Sequence, residues 1–217
     1  MNAPFKPATL VLREADLADR DEFARLERFV AEHPEGTPFH RPTWLRAVAQ
    51  GTGNRAIALV AERGGELSGY LPLSEVHSPL FGRMLASSGF GVAGGVLALD
   101  ERSGKALLGG LEELALRRSC PTAELRGGML PNSRPGWKIR FDSHCGFVAP
   151  LAEDDEAQLT WIPRKQRAEV RKGLANELTV SVGSSAEDRA AHYAVYAESV
   201  RNLGTPVFPR SLFDAVL

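Results

Sequence analysis

The chain has 217 residues, of which 43% are apolar and 24% charged, and its formal net charge is -1. This is enough apolar sequence for a sizeable core and fits one large domain, or one domain with part of another. Near-neutral bulk charge excludes binding to DNA or to an anionic surface through overall charge, and no run approaches the roughly 20 apolar residues of a membrane span. The two cysteines, Cys120 and Cys145, fit neither a zinc site nor a disulfide framework, so reduced thiols, no metal and a cytoplasmic location are expected.

The amino-terminal Met-Asn-Ala-Pro-Phe-Lys-Pro has no apolar run behind a basic start, so no secretory signal is expected. Residues 9–13 form a short apolar run, a first strand. Residues 16–33 read as a helix capped by Asp19 or Asp21, with Phe23, Leu26, Phe29 and Val30 at helical spacing. A Pro- and Gly-rich turn at 34–38 leads to a short helix opened by Arg41 or Thr43. That helix turns Trp44, Leu45 and Val48 inward and points Arg46 elsewhere. His40, just before it, reads as a surface loop histidine, and Trp44 as a core residue.

Residues 55–62 and 66–76 are strand-like runs around Arg63-Gly64-Gly65, a hairpin signal. The stretch 87–95 holds four glycines in the seven residues from Gly89 to Gly95. It matches Gly-x-Gly-x-x-Gly literally, but 95–99 continues as strand rather than helix, so no dinucleotide loop follows. It reads as a tight connection in which backbone approaches another group closely. Residues 102–118 form an amphipathic helix, 122–126 a strand, 131–136 a loop and 144–151 a strand. Glu153 to Glu156 start a helix with the right sign for its dipole. Residues 178–182 read as a strand, and Ser184 or Ser185 caps a helix over 187–202. After the break at 204–209 another helix begins at Ser211. The chain halts in that apolar run, so 206–217 reads as the start of a truncated second domain.

Residues 162–177 stand out. Arg164, Lys165, Arg167, Arg171 and Lys172 are five cations against one acid, Glu169, before Glu177. Pro163 suits a first helical turn. On a helix, Arg164, Arg167 and Arg171 share one face, while Val170 and Leu174 can anchor it to a core. The stretch reads either as a solvated face or as an anion site of Arg forks matched to phosphate or carboxylate oxygens.

Four segments carry a resemblance: Thr37-Pro-Phe-His-Arg-Pro-Thr-Trp-Leu, Ser88-Gly-Phe-Gly-Val-Ala-Gly-Gly, Pro163-Arg-Lys-Gln-Arg-Ala-Glu-Val-Arg-Lys, and Tyr193-x-x-Tyr-x-x-Ser-x-Arg-Asn-Leu-Gly-Thr-Pro. Through them nearly the whole chain resembles the FemAB-like proteins, in particular the branch associated with exosortase and PEP-CTERM exopolysaccharide systems. The resemblance implies an α/β fold with a mixed sheet of the GNAT (acyl-CoA N-acyltransferase-like) type. It implies a first GNAT-like domain over 1–205 and the beginning of a second over 206–217, completed by a further domain or a homodimer partner. It also implies transfer of an acyl or aminoacyl group, from acyl-CoA or aminoacyl-tRNA, to an amine of a cell-envelope, peptidoglycan or exopolysaccharide precursor. The protein would work in the cytoplasm or at the inner face of the membrane, with a tRNA contact.

Basic side chains in these relatives hold the pyrophosphate of a nucleotide-linked acceptor. The matching positions are Arg46 and the set Arg164, Lys165, Arg167 and Arg171. The Arg/Gln-x-x-Gly-x-Gly/Ala loop that cradles acetyl-CoA is absent, which argues against acyl-CoA binding by this segment. No catalytic base stands out: Glu198 and Tyr196 lie near the last motif but read as structural. The alternative reading is a non-catalytic module that grips a nucleotide-sugar or a lipid-linked phosphate in exopolysaccharide assembly. Nucleic-acid binding through the basic helix lacks support, because no aromatics interleave with the cations.

Overall fold

The computed structural model describes residues 9–80, 82–128, 134–141 and 144–217. They fall into two units. One combines Met1–Trp137 with Ala186–Leu217, and the other is Lys138–Ser185.

The larger unit is a six-stranded mixed sheet with helices on both faces. Strand β1 (Leu10–Glu14) leads to α1 (Arg20–Glu32), a 3-10 turn at Pro38–His40, and α2 (Pro42–Thr52). The hairpin β2 (Arg55–Arg63) and β3 (Glu66–Ser78) follows, then β4 (Gly82–Ser87), β5 (Leu97–Ala98), α3 (Glu101–Arg117) and β6 (Thr122–Glu124). Strand order is β1-β2-β3-β4-β6, with β5 also on β3. Every pairing is antiparallel except β4 with β6. The expected mixed α/β architecture is therefore present, and the hairpin turns through Gly64 and Gly65 as expected, both at positive φ.

The central strands are apolar on both faces because both faces are covered. From β2, Ile57, Leu59 and Ala61 point to one side and meet Leu107, Leu108, Leu111 and Leu114 of α3. Ala58 and Val60 point to the other and meet Leu26 and Val30 of α1 and Leu45 of α2. The period of two in the strand and of 3.6 in the helices thus interlock in two layers of core. Helix α1 starts at one of the two expected caps, where Asp19 accepts from the Glu22 N–H at 2.8 Å, inside the expected range of 16–33. The acids Asp21 and Glu22 lie in its first turn, which suits the dipole.

At the edge of the sheet Arg13 makes a two-pronged bond to Glu62, at 3.0 and 2.7 Å. Arg25 of α1 joins the same carboxylate at 2.7 Å. This half-buried fork ties β1, β2 and α1 together and holds Glu62 below the usual carboxylate range.

The chain returns to the larger unit through α6 (Ala186–Asn202) and α7 (Arg210–Val216). Leu212 of α7 is buried, Phe213 half-buried and Val216 at the surface. Helix α7 lies against α2, where Ser211 Oγ donates to the Gly51 carbonyl. A Cβ on Gly51 would fall 2.5 Å from the Leu212 Cα, so only hydrogen fits at this crossing.

The smaller unit holds α4 (Asp155–Trp161) and α5 (Arg164–Ala175). Asp154 caps α4 by accepting from the Ala157 N–H at 2.8 Å, as the acidic run predicts. The strands expected at 144–151 and 178–182 are absent: both stretches run as irregular backbone. Their apolar side chains, Phe147, Val148, Leu151, Leu178, Val180 and Val182, are exposed, so neither run has the buried neighbour that stabilises a strand. Of the two cysteines, Cys120 is a buried core thiol and Cys145 is exposed. Of the expected loop at 131–136, residues 131–133 lie outside the described residues, and 134–136 run as irregular backbone and turn.

Replacing Gly51 by alanine should push α7 off α2. We expect a loss of about 1–3 kcal/mol in unfolding free energy and faster protease cleavage within 203–217, with the rest of the fold resistant. Unchanged cleavage there would show that α7 does not rest on this face of α2.

Candidate functional site

Strand β3 is paired along one edge by two different strands. Residues Leu73 to Ser78 pair with β4, and Gly69 and Tyr70 with β5. The glycine-rich segment 88–96 carries the chain from one to the other. Pro72 sits at the gap, and its carbonyl accepts from the Ser88 N–H at 3.0 Å. A proline is tolerated there because no strand asks for its missing N–H on that side.

This segment is held by its carbonyls. Trp44 Nε1 donates to Gly89 at 3.3 Å, and Arg126 Nη1 to Gly91 at 3.2 Å. Thr37 Oγ1 donates to Ala93 at 3.2 Å, and Ser88 Oγ to Gly94 at 3.1 Å. His40 Nε2 lies 3.2 Å from the Gly95 carbonyl. Three non-glycine residues, Ser88, Phe90 and Ala93, have positive φ, at a cost of about 1–2 kcal/mol each. Neutral hydrogen bonds worth about 1 kcal/mol each offset this. The close approach expected of the glycines is present: a Cβ on Gly95 would meet the Gly127 carbonyl at 1.8 Å.

His40 corrects the sequence reading. It is 1% exposed rather than a surface residue. Its Nδ1 accepts from the Thr37 N–H at 3.2 Å and lies 2.8 Å from Thr37 Oγ1, which leaves Nε2 as the N–H that donates to Gly95. Loss of water around the ring pushes its pKa down to about 4, against the opposing pull of the Gly95 carbonyl, and the neighbouring His33 adds to the fall. With both nitrogens occupied and no proton taken up near neutrality, His40 is a pin for the loop. Trp44 is half-buried and stands edge-on to Phe39 at 4.9 Å.

The last motif closes on the same region. Phe90 of the glycine-rich segment meets Phe208 edge-on at 5.2 Å. Phe208 is held through its backbone: its carbonyl accepts from Tyr193 OH at 3.0 Å, and its N–H donates to Tyr196 OH at 3.4 Å. Tyr196 also lies 4.6 Å from the Phe213 ring. Two of the other three motif segments therefore pack against 88–96. A shallow cavity of about 300 Å³ lies beside them, lined by Pro38, Arg41, Thr43, Trp44, Ala47 and Val216 among others. Its rim is neutralised, because Glu27 accepts from Arg41 Nε at 2.6 Å and from the Thr43 N–H at 2.9 Å. Burial opposes ionisation of Glu27, but these bonds outweigh it and hold the carboxyl below its ordinary range.

The cations predicted to bind an acceptor lie in both units. Arg46, on α2 of the larger unit, is exposed, and its guanidinium stacks on the Phe23 ring, 4.2 Å from the centroid. In the smaller unit, Arg164, Lys165 and Arg171 of α5 are exposed. Among the described residues no partner is recorded for these three. Arg167 is half-buried and already engaged: Nη2 donates to the carbonyls of Thr160 at 2.7 Å and Ile162 at 2.9 Å, and Nε to Ile162 at 3.1 Å. It thereby satisfies carbonyls left open at the end of α4. Lys172 pairs with Glu169 at 2.9 Å. Pro163 sits at the cap rather than in the first turn. Val170 and Leu174, expected to anchor α5, are instead exposed. No metal cluster occurs among the described residues.

No family model matches the chain, and no curated protein sequence matches it. Among solved structures, FemX is similar over 89% of this chain and 52% of its own, at 18% identity and a TM-score of 0.54. The chain thus spans about half the length of FemX. A ribosomal-protein-alanine N-acetyltransferase from Brucella melitensis biovar Abortus 2308 is similar over 82% of this chain and 98% of its own, at 18% identity and a TM-score of 0.39. A GNAT family acetyltransferase of Staphylococcus aureus subsp. aureus USA300_TCH1516 covers 66% and 99%, at 16% identity and 0.43. At these identities the likeness concerns the fold alone, and the match to FemX carries it: the chain has a FemX-like mixed α/β fold.

The burial of neutral His40 sets a pH dependence. The unfolded chain takes up a proton below pH 6.5 and the folded one only near pH 4. Stability is therefore full above about pH 6.5 and falls as pH drops toward 4, by up to about 3 kcal/mol. The carboxylates Glu62 and Glu112, held low by arginine partners, act only below their ordinary range and so in a lower window. Denaturant unfolding at pH 7 and pH 5 should show a loss that is absent in His40→Gln, which keeps an N–H for Gly95 but cannot protonate. An equal loss in the variant would remove His40 as the cause.

Proposed function

We propose that this chain is the acceptor-binding part of a FemAB-like N-acyltransferase or aminoacyltransferase, acting on an amine of a cell-envelope or exopolysaccharide precursor. The observation that carries the reading is the FemX-like fold over 89% of the chain. Two of the motif segments that suggested the family also pack against the glycine-rich one. In this reading the exposed cations Arg164, Lys165 and Arg171 of the smaller unit recognise the phosphates of the acceptor. Arg167 contributes by fixing the α4–α5 corner from which Arg164 projects. Guanidinium forks suit phosphate oxygens better than ammonium groups do, because they donate two bonds in one plane.

One observation favours the binding-module alternative. The histidine of the first motif has both ring nitrogens engaged, so it offers no base to an attacking amine. The two readings separate in a transfer assay with acyl-CoA and aminoacyl-tRNA donors.

The acceptor site is tested by calorimetric titration with a UDP-sugar. Arg164→Ala and Arg171→Ala should each weaken binding about tenfold, the loss of one charge-assisted contact. Arg171→Lys should recover only part, and binding should fall with salt. Arg167→Ala should mainly lower the melting temperature of the smaller unit. Binding that ignores all the arginine substitutions would overturn this assignment.

A further inference from the structure

Helix α4 carries a groove of about 530 Å³ that runs along one face from its cap to its last turn, lined by Asp154, Glu156, Ala157, Thr160 and Trp161. The spacing explains its shape. Asp154, Ala157 and Trp161 fall at i, i+3 and i+7, and Glu156 and Thr160 at i and i+4, so the five share adjoining rows. Small side chains at 157 and 160 leave a hollow between carboxylates at one end and an indole at the other. Long side chains on a helix lean toward its N-terminus, so the indole of Trp161 extends back toward Ala157 and the acids. Trp161 is 60% exposed, which leaves its ring open to a ligand. The acids are uncommitted as well. Asp154 gives one oxygen to the Ala157 N–H at 2.8 Å, and no partner is recorded for the other among the described residues. Within the described part of the smaller unit, the ion pair is that of Lys172 with Glu169. Glu153 and Asp155 flank the lining acids in the chain and add to their field, while Glu177 follows α5 and lies outside the lining. The guanidinium of Arg167 is held at the Thr160 and Ile162 carbonyls, at the other end of α4. The dipole of α4 opposes a cation with about half a charge, which four carboxylates exceed.

We infer that this groove binds an alkylammonium group, with Asp154 and Glu156 as counter-charges and the Trp161 ring against the carbon atoms next to the nitrogen. A cationic centre over an aromatic face is drawn by the ring quadrupole, and the two carboxylates supply the charge that an indole lacks. The combination turns away other classes: an anion meets the acids, and an uncharged chain gains only the ring. The inference rests on the acceptor-binding reading and adds to it. The acceptor carries a protonated amine besides the one that is acylated, since an attacking amine must be neutral. With the exposed arginines of α5 in the same unit, the substrate class is zwitterionic, its anionic group on one helix and its ammonium on the other.

The test is titration of the full chain with cadaverine, a diamine, followed by the NMR signal of the Trp161 indole N–H, which is assigned by its loss in Trp161→Phe. The control is 1,5-pentanediol, the same carbon chain without charge. We expect a saturable shift with cadaverine in the millimolar range and none with the diol. Glu156→Gln should weaken cadaverine binding about fivefold, and Asp154→Asn similarly, since asparagine still caps α4. Trp161→Leu, read from the line width of the cadaverine protons, should weaken it about threefold. Circular dichroism should stay as in the parent for all three. UDP-sugar binding should be unchanged in Glu156→Gln, which separates this groove from the arginines of α5. An equal shift with the diol overturns the inference, as does a shift that both carboxylate variants leave unchanged, or one that grows without saturating, which would be loose counter-ion adsorption. UDP-sugar binding without cadaverine binding would remove the ammonium site and leave the acceptor reading intact. The reverse would keep the groove and remove that reading.

Discussion

The larger unit is governed by a geometric obligation at β3. A strand whose one edge is shared by two partners must be bridged by backbone that has left the ladder, and backbone buried without ladder partners needs others. The segment 88–96 meets that need with side chains: an indole, a guanidinium, two hydroxyls and an imidazole. Three come from the stretch 37–44, one from just after β6 and one from the segment itself. The short motif before α2 and the residue after β6 thus answer one demand, and the fold at this point is specified by donors rather than by apolar area. His40 is suited to the role because a neutral imidazole accepts on one nitrogen and donates on the other.

Periodicity made most of this architecture readable. The alternation in β2 and β3, the stripes of α1 and α3, and the Gly-Gly turn are local signals, and each element stands within a few residues of where those signals put it. The runs at 144–151 and 178–182 were misread because a short apolar run looks the same whether or not anything covers it. Strand β4 was missed because Gly82–Ser87 ends in small residues that blend into the glycine-rich segment, and only its pairing with β3 defines it. The burial of His40 depends on a carbonyl 55 residues away, a relation that no local pattern encodes. The motif before it, with a proline on each side of Phe39-His40-Arg41, was the available hint that its backbone is fixed.

The cations of α5 show how a charged helix divides its labour. Composition treats the five as equivalent, yet Arg167 is spent on the carbonyls of the preceding helix and Lys172 on Glu169. Such commitments follow from position: the fourth residue of a helix is near enough to the end of the one before to reach back to its open carbonyls. What is left is a smaller set, Arg164, Lys165 and Arg171, which are exposed and have no partner among the described residues. A density of like charge that would repel itself at close quarters is thereby reduced to a spacing that a single ligand could span.

The contact between Ser211 and Gly51 joins residues 160 apart in sequence, and that separation has a kinetic side. The face of α2 under α7 stays open in the nascent chain until Arg210–Val216 have been made, so the larger unit cannot complete itself before its intervening residues are synthesised. The intervening residues 138–185 add little to the entropic cost of that closure, since loop closure grows only with the logarithm of length. They do postpone it. High contact order of this kind slows the final step of folding, and an apolar groove on α2 is available to chaperones, or to another nascent chain, for as long as the delay lasts.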